Sequence, residues 1–206
     1  MKHPKSSLII SVLLILTLSS LHAGKYYVLC EGNFGQANAS LWSIDESLQN
    51  IEGPLIWNAS SNPLGDVGQS LTLHDHTLYV VMNGSHEIRI INLESGGTHS
   101  GDIEIPDSNP RFMAIHRESG LGYISSWGVG GLLVVNLESH TLIDTILLGA
   151  LPEQILIVED EMFVSIAMKS DWSASNKVLR FDLSGNTPEL THTYDVIEEP
   201  GALAIL

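Results

Sequence analysis

The sequence predicts an all-β protein, a β-propeller built from four-stranded blades, and three observations lead to this class. After residue 24 no apolar stripe is sustained at helical spacing. Short runs rich in Val, Ile, Leu and aromatic residues alternate instead with Gly, Asn, Asp, Ser and Pro, which is the pattern of strands and turns. The strand pattern also repeats at intervals of about 40–50 residues, the length typical of one propeller blade.

The repeat is clearest where the third strand of each unit ends. Residues 90–95 (IINLES) match residues 134–139 (VVNLES), and residues 179–184 (LRFDLS) and 41–45 (LWSID) follow the same pattern. A side-chain oxygen at this point can accept hydrogen bonds from the free amides of a turn. We therefore interpret the recurring Asn or Asp as a structural residue of the turn, at Asp45, Asn92, Asn136 and Asp182.

Each complete unit contains four strand-like segments. They lie at 71–73, 78–82, 88–92 and 102–105, then at 112–116, 122–126, 132–136 and 142–148, and then at 155–158, 162–166, 178–182 and 190–196. One four-stranded sheet buries too little apolar surface to be stable alone, so neighbouring blades are expected to stack face to face. A β-sandwich is the main alternative, but sandwich strands do not normally repeat internally.

The two ends of the propeller region predict incomplete blades. The first unit starts at residues 26–30, which align with second strands elsewhere, so its innermost strand is expected to be missing. Residues 201–206 (GALAIL) align with first strands. They would either complete the first blade and close a four-bladed ring or begin the fifth blade of a longer propeller. The stop inside an apolar strand favours the second alternative, a truncated propeller.

The predicted organisation is therefore a leader followed by one domain. Residues 1–23 form a signal peptide and residues 24–206 form the propeller. The expected blades lie at about 25–65, 66–108, 109–150 and 151–198, with a fifth beginning at 199–206.

The leader has the three parts of a secretory signal peptide. Lys2, His3 and Lys5 are basic, residues 8–18 are apolar, and mostly small residues lead to a cleavage position after Ala23. The alternative is a permanent anchor, but the apolar run is too short to span about 30 Å of hydrocarbon. We expect a secreted, periplasmic or cell-surface protein that is not inserted in a membrane after cleavage.

The charge and cysteine content restrict the partners and the cofactors. Without Lys2 and Lys5 the chain carries seven basic and 24 acidic residues, a net charge of −17. A field of this sign repels phosphate backbones, so nucleic acid is not an expected partner. Cys30 is the single cysteine, which rules out an internal disulfide and a cysteine-based zinc site. Its apolar surroundings predict a small buried side chain.

A candidate binding surface lies on one face of the predicted propeller. The start of each first strand and the loop between second and third strands share this face. Aromatic and hydrogen-bonding groups on loops held by a rigid scaffold suit ligand binding. The alternative is that these residues serve turns and blade packing. The candidates are Gln69, Arg111 and Glu153, expected around the mouth of the central channel, and the loop residues Asn33, Phe34, Asn83, His86, Trp127 and Trp172.

The sequence predicts no catalytic residue, metal ligand or cofactor. It contains no HExxH spacing, GxSxG elbow, phosphate-cradling glycine loop or EF-hand run. The triplet at 74–76 (HDH) resembles a ligand cluster, but it falls on the opposite face and has no evident third ligand. We expect it to be a solvated turn.

The opening of the mature chain resembles a known family. Residues 27–35 (YVLCEGNFG), followed by 39–41 (ASL), are similar to the start of bacterial extracellular YncE-like propellers, which often begin VLNEGNFG…GSL directly after a signal peptide. Residues 79–96 and 122–140 are similar to the surface-layer-type repeats of the same group. The chain departs from the family in two respects. Cys30 replaces the usual Asn, and only four blades and a strand are present.

This resemblance implies a seven-bladed propeller at the cell surface or in the periplasm, without known catalysis in most members. Some relatives capture cobalamin and pass it to an outer-membrane transporter. The leading hypothesis is an exported, non-enzymatic binding or scaffold protein that engages a small ligand or a cell-surface protein. The alternative is a propeller enzyme of the lactonase or quinoprotein type with a divalent cation in its channel, for which Gln69 and Glu153 are the available ligands.

Overall fold

The structure is a computed structural model that describes residues 24–56 and 64–206. The predicted signal peptide lies outside these residues. The described parts of the chain form fifteen β-strands and contain no helix. Accordingly, they include no helical segment with the length and apolarity needed to cross a membrane. The prediction of an all-β fold is confirmed.

The strands form four antiparallel sheets in which the strands follow one another in chain order. We call these sheets blades one to four. Blade one has three strands, so the prediction of a missing innermost strand agrees with the described residues, and the other blades have four. The strands are β1 Lys25–Cys30, β2 Ser40–Asp45 and β3 Ile51–Leu55; β4 Gly68–His74, β5 Thr77–Met82, β6 Glu87–Asn92 and β7 Thr98–Glu104; β8 Pro110–His116, β9 Leu121–Ser126, β10 Gly131–Asn136 and β11 Thr141–Leu147; and β12 Ala150–Val158, β13 Glu161–Lys169, β14 Ala174–Asp182 and β15 Glu189–Asp195.

The repeated Asn and Asp residues close their turns as predicted. Asn136 Oδ1 accepts hydrogen bonds from the backbone N–H groups of Glu138 and Ser139 at 3.0 and 2.8 Å. Side-chain oxygens accept from turn amides in the same way at Asp45, Asn92 and Asp182. The recurrence of these residues thus has a structural explanation in all four blades.

The hydrophobic core consists of three clusters, and each cluster joins two neighbouring blades. Val80 of blade two packs with Leu41 of blade one, and Ile90 of blade two packs with Ile124 of blade three. A third cluster joins blades three and four, and includes the fully buried Met162. Burying one such side chain contributes about 1.5–3 kcal/mol. Stacking between blades therefore supplies the apolar burial that a single sheet lacks.

Burial is highest in middle strands such as β5 and β9, which are buried at every position but the first, and it falls toward the rim. Every residue of the outermost strand β15 is exposed, and β11 is exposed at all positions but one. The outermost strand pair of each blade also shifts register once. These irregularities lie at Leu41/Ser43, Ile90/Ile91, Val134/Val135 and Arg180/Phe181.

The last residues pack against blade four without forming a strand. The Leu203 N–H donates to Gln154 Oε1 at 2.7 Å, and Ser165 Oγ donates to the Gly201 carbonyl at 2.9 Å. Ser125 Oγ makes the same bond to the Glu153 carbonyl one blade earlier. Gly201 thus occupies the place beside blade four that Glu153 occupies beside blade three. The assignment of residues 199–206 to a fifth blade stays a prediction.

The predicted burial of Cys30 is wrong. Cys30 is exposed at the end of β1. Side chains alternate across a strand, and Tyr27 and Leu29 are the β1 residues that pack toward blade two. Cys30 points away from that interface, together with Tyr26 and Val28, which are also exposed.

Candidate functional site

Three residues near the start of consecutive first strands meet in one hydrogen-bonded network. Arg111 Nη1 donates to Gln69 Oε1 at 2.7 Å. On its other side, Arg111 Nη2 and Nε donate to the two carboxylate oxygens of Glu153 at 2.8 and 3.1 Å. Gln69, Arg111 and Glu153 are spaced 42 residues apart, one from each of blades two, three and four. The repeat therefore brings together three side chains that are distant in sequence, as the sequence predicts.

The ion pair in this network is partly withdrawn from solvent. The Arg111 and Glu153 side chains are 20% and 16% exposed. A two-pronged contact between a guanidinium and a carboxylate is charge-assisted and fixes the plane of the guanidinium. Partial burial also reduces screening by salt. Arg111 is thus held in one orientation, and Glu153 balances its charge.

Two tryptophans extend this network outward. The Arg111 guanidinium carbon lies 4.2 Å from the centre of the Trp127 ring, within cation–π distance. Trp127 Nε1 donates to the Pro152 carbonyl at 2.9 Å, which fixes the ring. Trp172 meets Trp127 edge to face, with ring centres 5.8 Å apart, and is itself 64% exposed. We call the surface formed by Gln69, Arg111, Trp127, Glu153 and Trp172 the Arg111 platform.

Trp172 reaches Trp127 because the hairpin that carries it is long. Strands β13 and β14 have nine residues each, whereas the corresponding strands of blades two and three have six. At the hairpin tip the Trp172 N–H donates to the Lys169 carbonyl at 3.0 Å. Asp171 accepts from the Ser173 hydroxyl at 2.6 Å, and this bond lowers the pKa of Asp171. Local hydrogen bonds therefore order the turn beneath the exposed ring.

A cleft of about 570 Å³ opens beside the platform. First-strand residues of blades two, three and four line it, including Gln69, Phe112 and Gln154, and Leu29 and Glu31 contribute from blade one. The cleft lies among first-strand residues, where the sequence predicts the central channel. A ligand held on the platform would have both an aromatic surface and this cleft beside it.

Two other predicted binding residues have structural partners instead. Asn83 Nδ2 donates to the Pro110 carbonyl at 2.9 Å. The Asn109 N–H donates to His86 Nδ1 at 3.1 Å. Both bonds join a blade-two loop to the segment that leads into β8. Asn83 and His86 thus position the chain next to Arg111 and are not members of the platform.

The remaining two predicted residues lie on the blade-one loop. The Asn33 N–H donates to Asn38 Oδ1 at 2.7 Å, so the backbone of Asn33 is tied within its own loop. Asp66 accepts from the Gly35 and Ala37 amides at 2.8 and 3.2 Å and fastens the loop to blade two. Phe34 is 83% exposed on this fastened loop.

The oxygens proposed for a channel cation are already engaged. Gln69 Oε1 and both Glu153 carboxylate oxygens accept hydrogen bonds from Arg111. A divalent cation at this position would have to displace a positively charged guanidinium. In the described residues Arg111 uses these oxygens, and the enzyme alternative stays a prediction.

The His74-Asp75-His76 triplet lies at the β4–β5 turn, on the face opposite the platform. Asp75 pairs with Arg117 at 2.9 Å, and both side chains are largely exposed. The hydrogen bond from Arg117 lowers the pKa of Asp75. The triplet's acidic member is thus part of an ion pair between blades two and three.

One cluster on that opposite face escaped the sequence analysis. His116, Glu118 and Asp160 each offer a ligand atom, and these atoms lie within 4.8 Å of one another. His116 and Glu118 belong to the β8–β9 turn region, and Asp160 to the β12–β13 turn. Asp160 follows His116 by 44 residues, about one repeat. Aligning equivalent turns of neighbouring blades would have been the signal that places them together.

No protein-family model and no curated protein matches the sequence. Solved structures do match. The chain is similar to Sqt1 of Saccharomyces cerevisiae, with a TM-score of 0.62 and 14% identity over 78% of this chain and 44% of that one. Apo AztD from Citrobacter koseri matches with a TM-score of 0.57 and 12% identity over 86% of this chain and 46% of that one. Both are propellers. This chain is a β-propeller.

A third propeller, dihydro-heme d1 dehydrogenase NirN in complex with DHE, matches with a TM-score of 0.57 and 11% identity. That match covers 84% of this chain and 39% of NirN. The propeller described here spans less than half the length of these three proteins. Identities this low show the shared fold alone, and membership of the YncE-like group stays a prediction.

Proposed function

We propose that this protein is an exported, non-enzymatic binding propeller that captures a small ligand or a cell-surface protein on the Arg111 platform. The observation that carries the proposal is the fixed Arg111, held by Gln69 and Glu153 beneath Trp127, with Trp172 exposed beside it. Export rests on the signal-peptide pattern of residues 1–23.

The platform is ordered before any ligand binds. Binding usually costs about 0.5–1.5 kcal/mol for each long side chain that becomes fixed. Arg111 already has three hydrogen bonds to its neighbours, and Trp127 has one to the Pro152 carbonyl. Binding a ligand therefore requires little further loss of side-chain entropy at Arg111 and Trp127.

The chemistry of the platform favours a ligand with a flat or ring-shaped apolar part. Glu153 balances the charge of Arg111, so the network offers little net charge to attract an ion. The exposed surface of Trp172 can stack on a ring or cover an apolar group. Cobalamin is the first ligand to test, because the resemblance to YncE-like propellers implies it for some relatives.

The test is calorimetric titration of the mature chain, residues 24–206, with cyanocobalamin. We expect saturable binding that weakens at least tenfold in Trp172→Ala, because this substitution removes an exposed aromatic surface that is not part of the buried core. Leu147→Ala is the matched control, since Leu147 is a large apolar residue, 74% exposed, on the outer strand β11. Its affinity should equal that of the unsubstituted protein.

Arg111 is tested separately, because its removal would leave Glu153 without its charged partner. Arg111→Lys keeps the charge and loses the two-pronged contact, so we expect weaker binding in a folded protein. Equal cyanocobalamin affinity in the unsubstituted protein, Trp172→Ala and Arg111→Lys would show that the platform is not the binding surface. Absence of saturable binding to the unsubstituted protein, at two temperatures, would exclude cobalamin as the ligand.

A further inference from the structure

We propose that His116, Glu118 and Asp160 form a binding site for a divalent transition metal of the zinc type. The site joins blades three and four on the face opposite the Arg111 platform. It is independent of the proposed ligand-binding function, because it shares no residue with the platform.

The spacing of the ligand atoms suits such an ion. His116 Nε2 and Asp160 Oδ1 are 3.1 Å apart. Zinc bonds of about 2.0–2.2 Å in tetrahedral geometry place neighbouring ligand atoms roughly 3.4 Å apart. The His–Asp pair therefore needs almost no movement. Glu118, whose side chain is exposed, lies within the same 4.8 Å cluster and can turn inward as the third ligand.

The hydrogen bonds of the imidazole are compatible with a bound cation. His116 Nδ1 is 2.9 Å from Ser119 Oγ, and the Ser119 hydroxyl is placed to donate to the His116 carbonyl at 3.4 Å. When Nδ1–H donates to Ser119 Oγ, the lone pair of Nε2 faces the Asp160 carboxylate, so both atoms can bind one metal ion.

The second carboxylate also suits a metal ion. Glu118 adds a third ligand atom to those of His116 and Asp160. His116 is 7% exposed, so its ring is held in place, and Ser119 orients it from behind as the outer partners of metal-binding histidines do. Three protein ligands and one water would complete a four-coordinate site.

The corresponding turns of blades two and three are joined by a simple ion pair. There Asp75 of blade two pairs with Arg117 of blade three, and both are about two-thirds exposed. Asp160 is an acidic residue at the junction between blades three and four. It faces His116 and the carboxylate of Glu118, and no arginine takes the corresponding place in this cluster. A metal ion would supply the positive charge that Arg117 supplies between blades two and three.

The experiment is zinc titration of the tag-free mature protein after removal of metal with a chelator. We expect one saturable site by calorimetry and a rise in melting temperature on zinc addition, since a ligand that binds the folded state stabilises it. Glu118→Gln changes an exposed residue that the fold does not depend on, and Asp160→Asn keeps the size of its side chain. Each should weaken zinc binding at least tenfold.

The matched control is Glu94→Gln. Glu94 lies 3.7 Å from His76 in an exposed pair on the same face, and no third ligand atom accompanies this pair in the part of the chain that the structure describes. Its loss should therefore leave zinc affinity unchanged. Trp172→Ala should also bind zinc normally, which separates this site from the platform. Absence of saturable zinc binding, or equal affinity in Glu118→Gln, Asp160→Asn and the unsubstituted protein, would show that the cluster is an ordinary ion pair and overturn the proposal.

Discussion

At the scale of residues, side-chain oxygens of Asn and Asp accept the hydrogen bonds that hold the turns of this propeller. Asp45 Oδ1 accepts from the Ser47 hydroxyl and from the amides of Gln49 and Asn50, and Asp45 Oδ2 accepts from the Asn50 side chain. These bonds favour the charged form of the carboxyl group. The turn that ends β2 therefore depends on the ionisation of one residue.

This dependence predicts a low titration point for Asp45. The bonds from Ser47 and Asn50 lower the pKa of Asp45 from 3.8 to about 2. Because the folded pKa is depressed, the contribution of Asp45 to stability is complete above pH 3.8 and is lost as the pH falls through about 2. Carboxyl carbon NMR over this pH range measures the titration directly.

Ser47→Ala is the companion variant for this measurement. It removes the largest cause of the shift, so the pKa of Asp45 should rise toward 3.8. A titration midpoint of 3.8 in the unsubstituted protein would contradict the hydrogen bonding described for this turn.

At the scale of strands, the contribution of a side chain to the free energy of unfolding depends on whether its strand lies within the sheet or at the outer edge. Ile124 in the middle of β9 is fully buried at the interface with blade two. Ile143 in the outermost strand of the same blade is 52% exposed. The two residues have the same side chain and belong to the same sheet, so they form a matched pair.

We expect Ile124→Ala to reduce the free energy of unfolding by about 2–5 kcal/mol, because it removes buried atoms and leaves a cavity. Ile143→Ala should change it by about 0.5 kcal/mol or less. Urea denaturation of both variants provides the comparison. Equal losses would mean that the blade interface does not carry the stability of the fold.

The strands were predictable from the sequence because apolar residues mark them and the pattern repeats. The length of β13 and β14 was not, since residues 173–177 are mostly polar and give no strand signal. Backbone pairing across the hairpin, such as Met168 with Ala174, extends it nonetheless. The sequence thus located Trp172 on the correct loop but not the hairpin that carries it to Trp127.

The candidate site was predictable where the repeat alone places residues together. Gln69, Arg111 and Glu153 follow from equal positions in successive blades. The roles of Asn83 and His86 depend on hydrogen bonds to Asn109 and Pro110, at the start of blade three. The spacing of the repeats does not predict such bonds.

At the scale of the whole molecule, the organisation of the chain predicts removal of its first 23 residues. The protein expressed with its full leader in a bacterial host should be recovered outside the cytoplasm with Gly24 as its first residue. Mass spectrometry of the exported chain measures the cleavage position. Ala23→Phe should block cleavage and Ala23→Ser should permit it, because the cleavage site requires small residues. Recovery of an intact chain beginning at Met1 would contradict this prediction.

The register shifts near the outer edge of each blade have a consequence for behaviour in concentrated solution. An outermost strand such as β15 offers unpaired backbone groups, and a straight strand of this kind could template pairing with another molecule. A bulge twists the strand locally and interrupts the even row of donors and acceptors. All four described blades carry such a break in their outermost strand pair. We therefore expect adjoining molecules to form continuous ladders between their sheets less readily, which would protect the protein against fibrous aggregation.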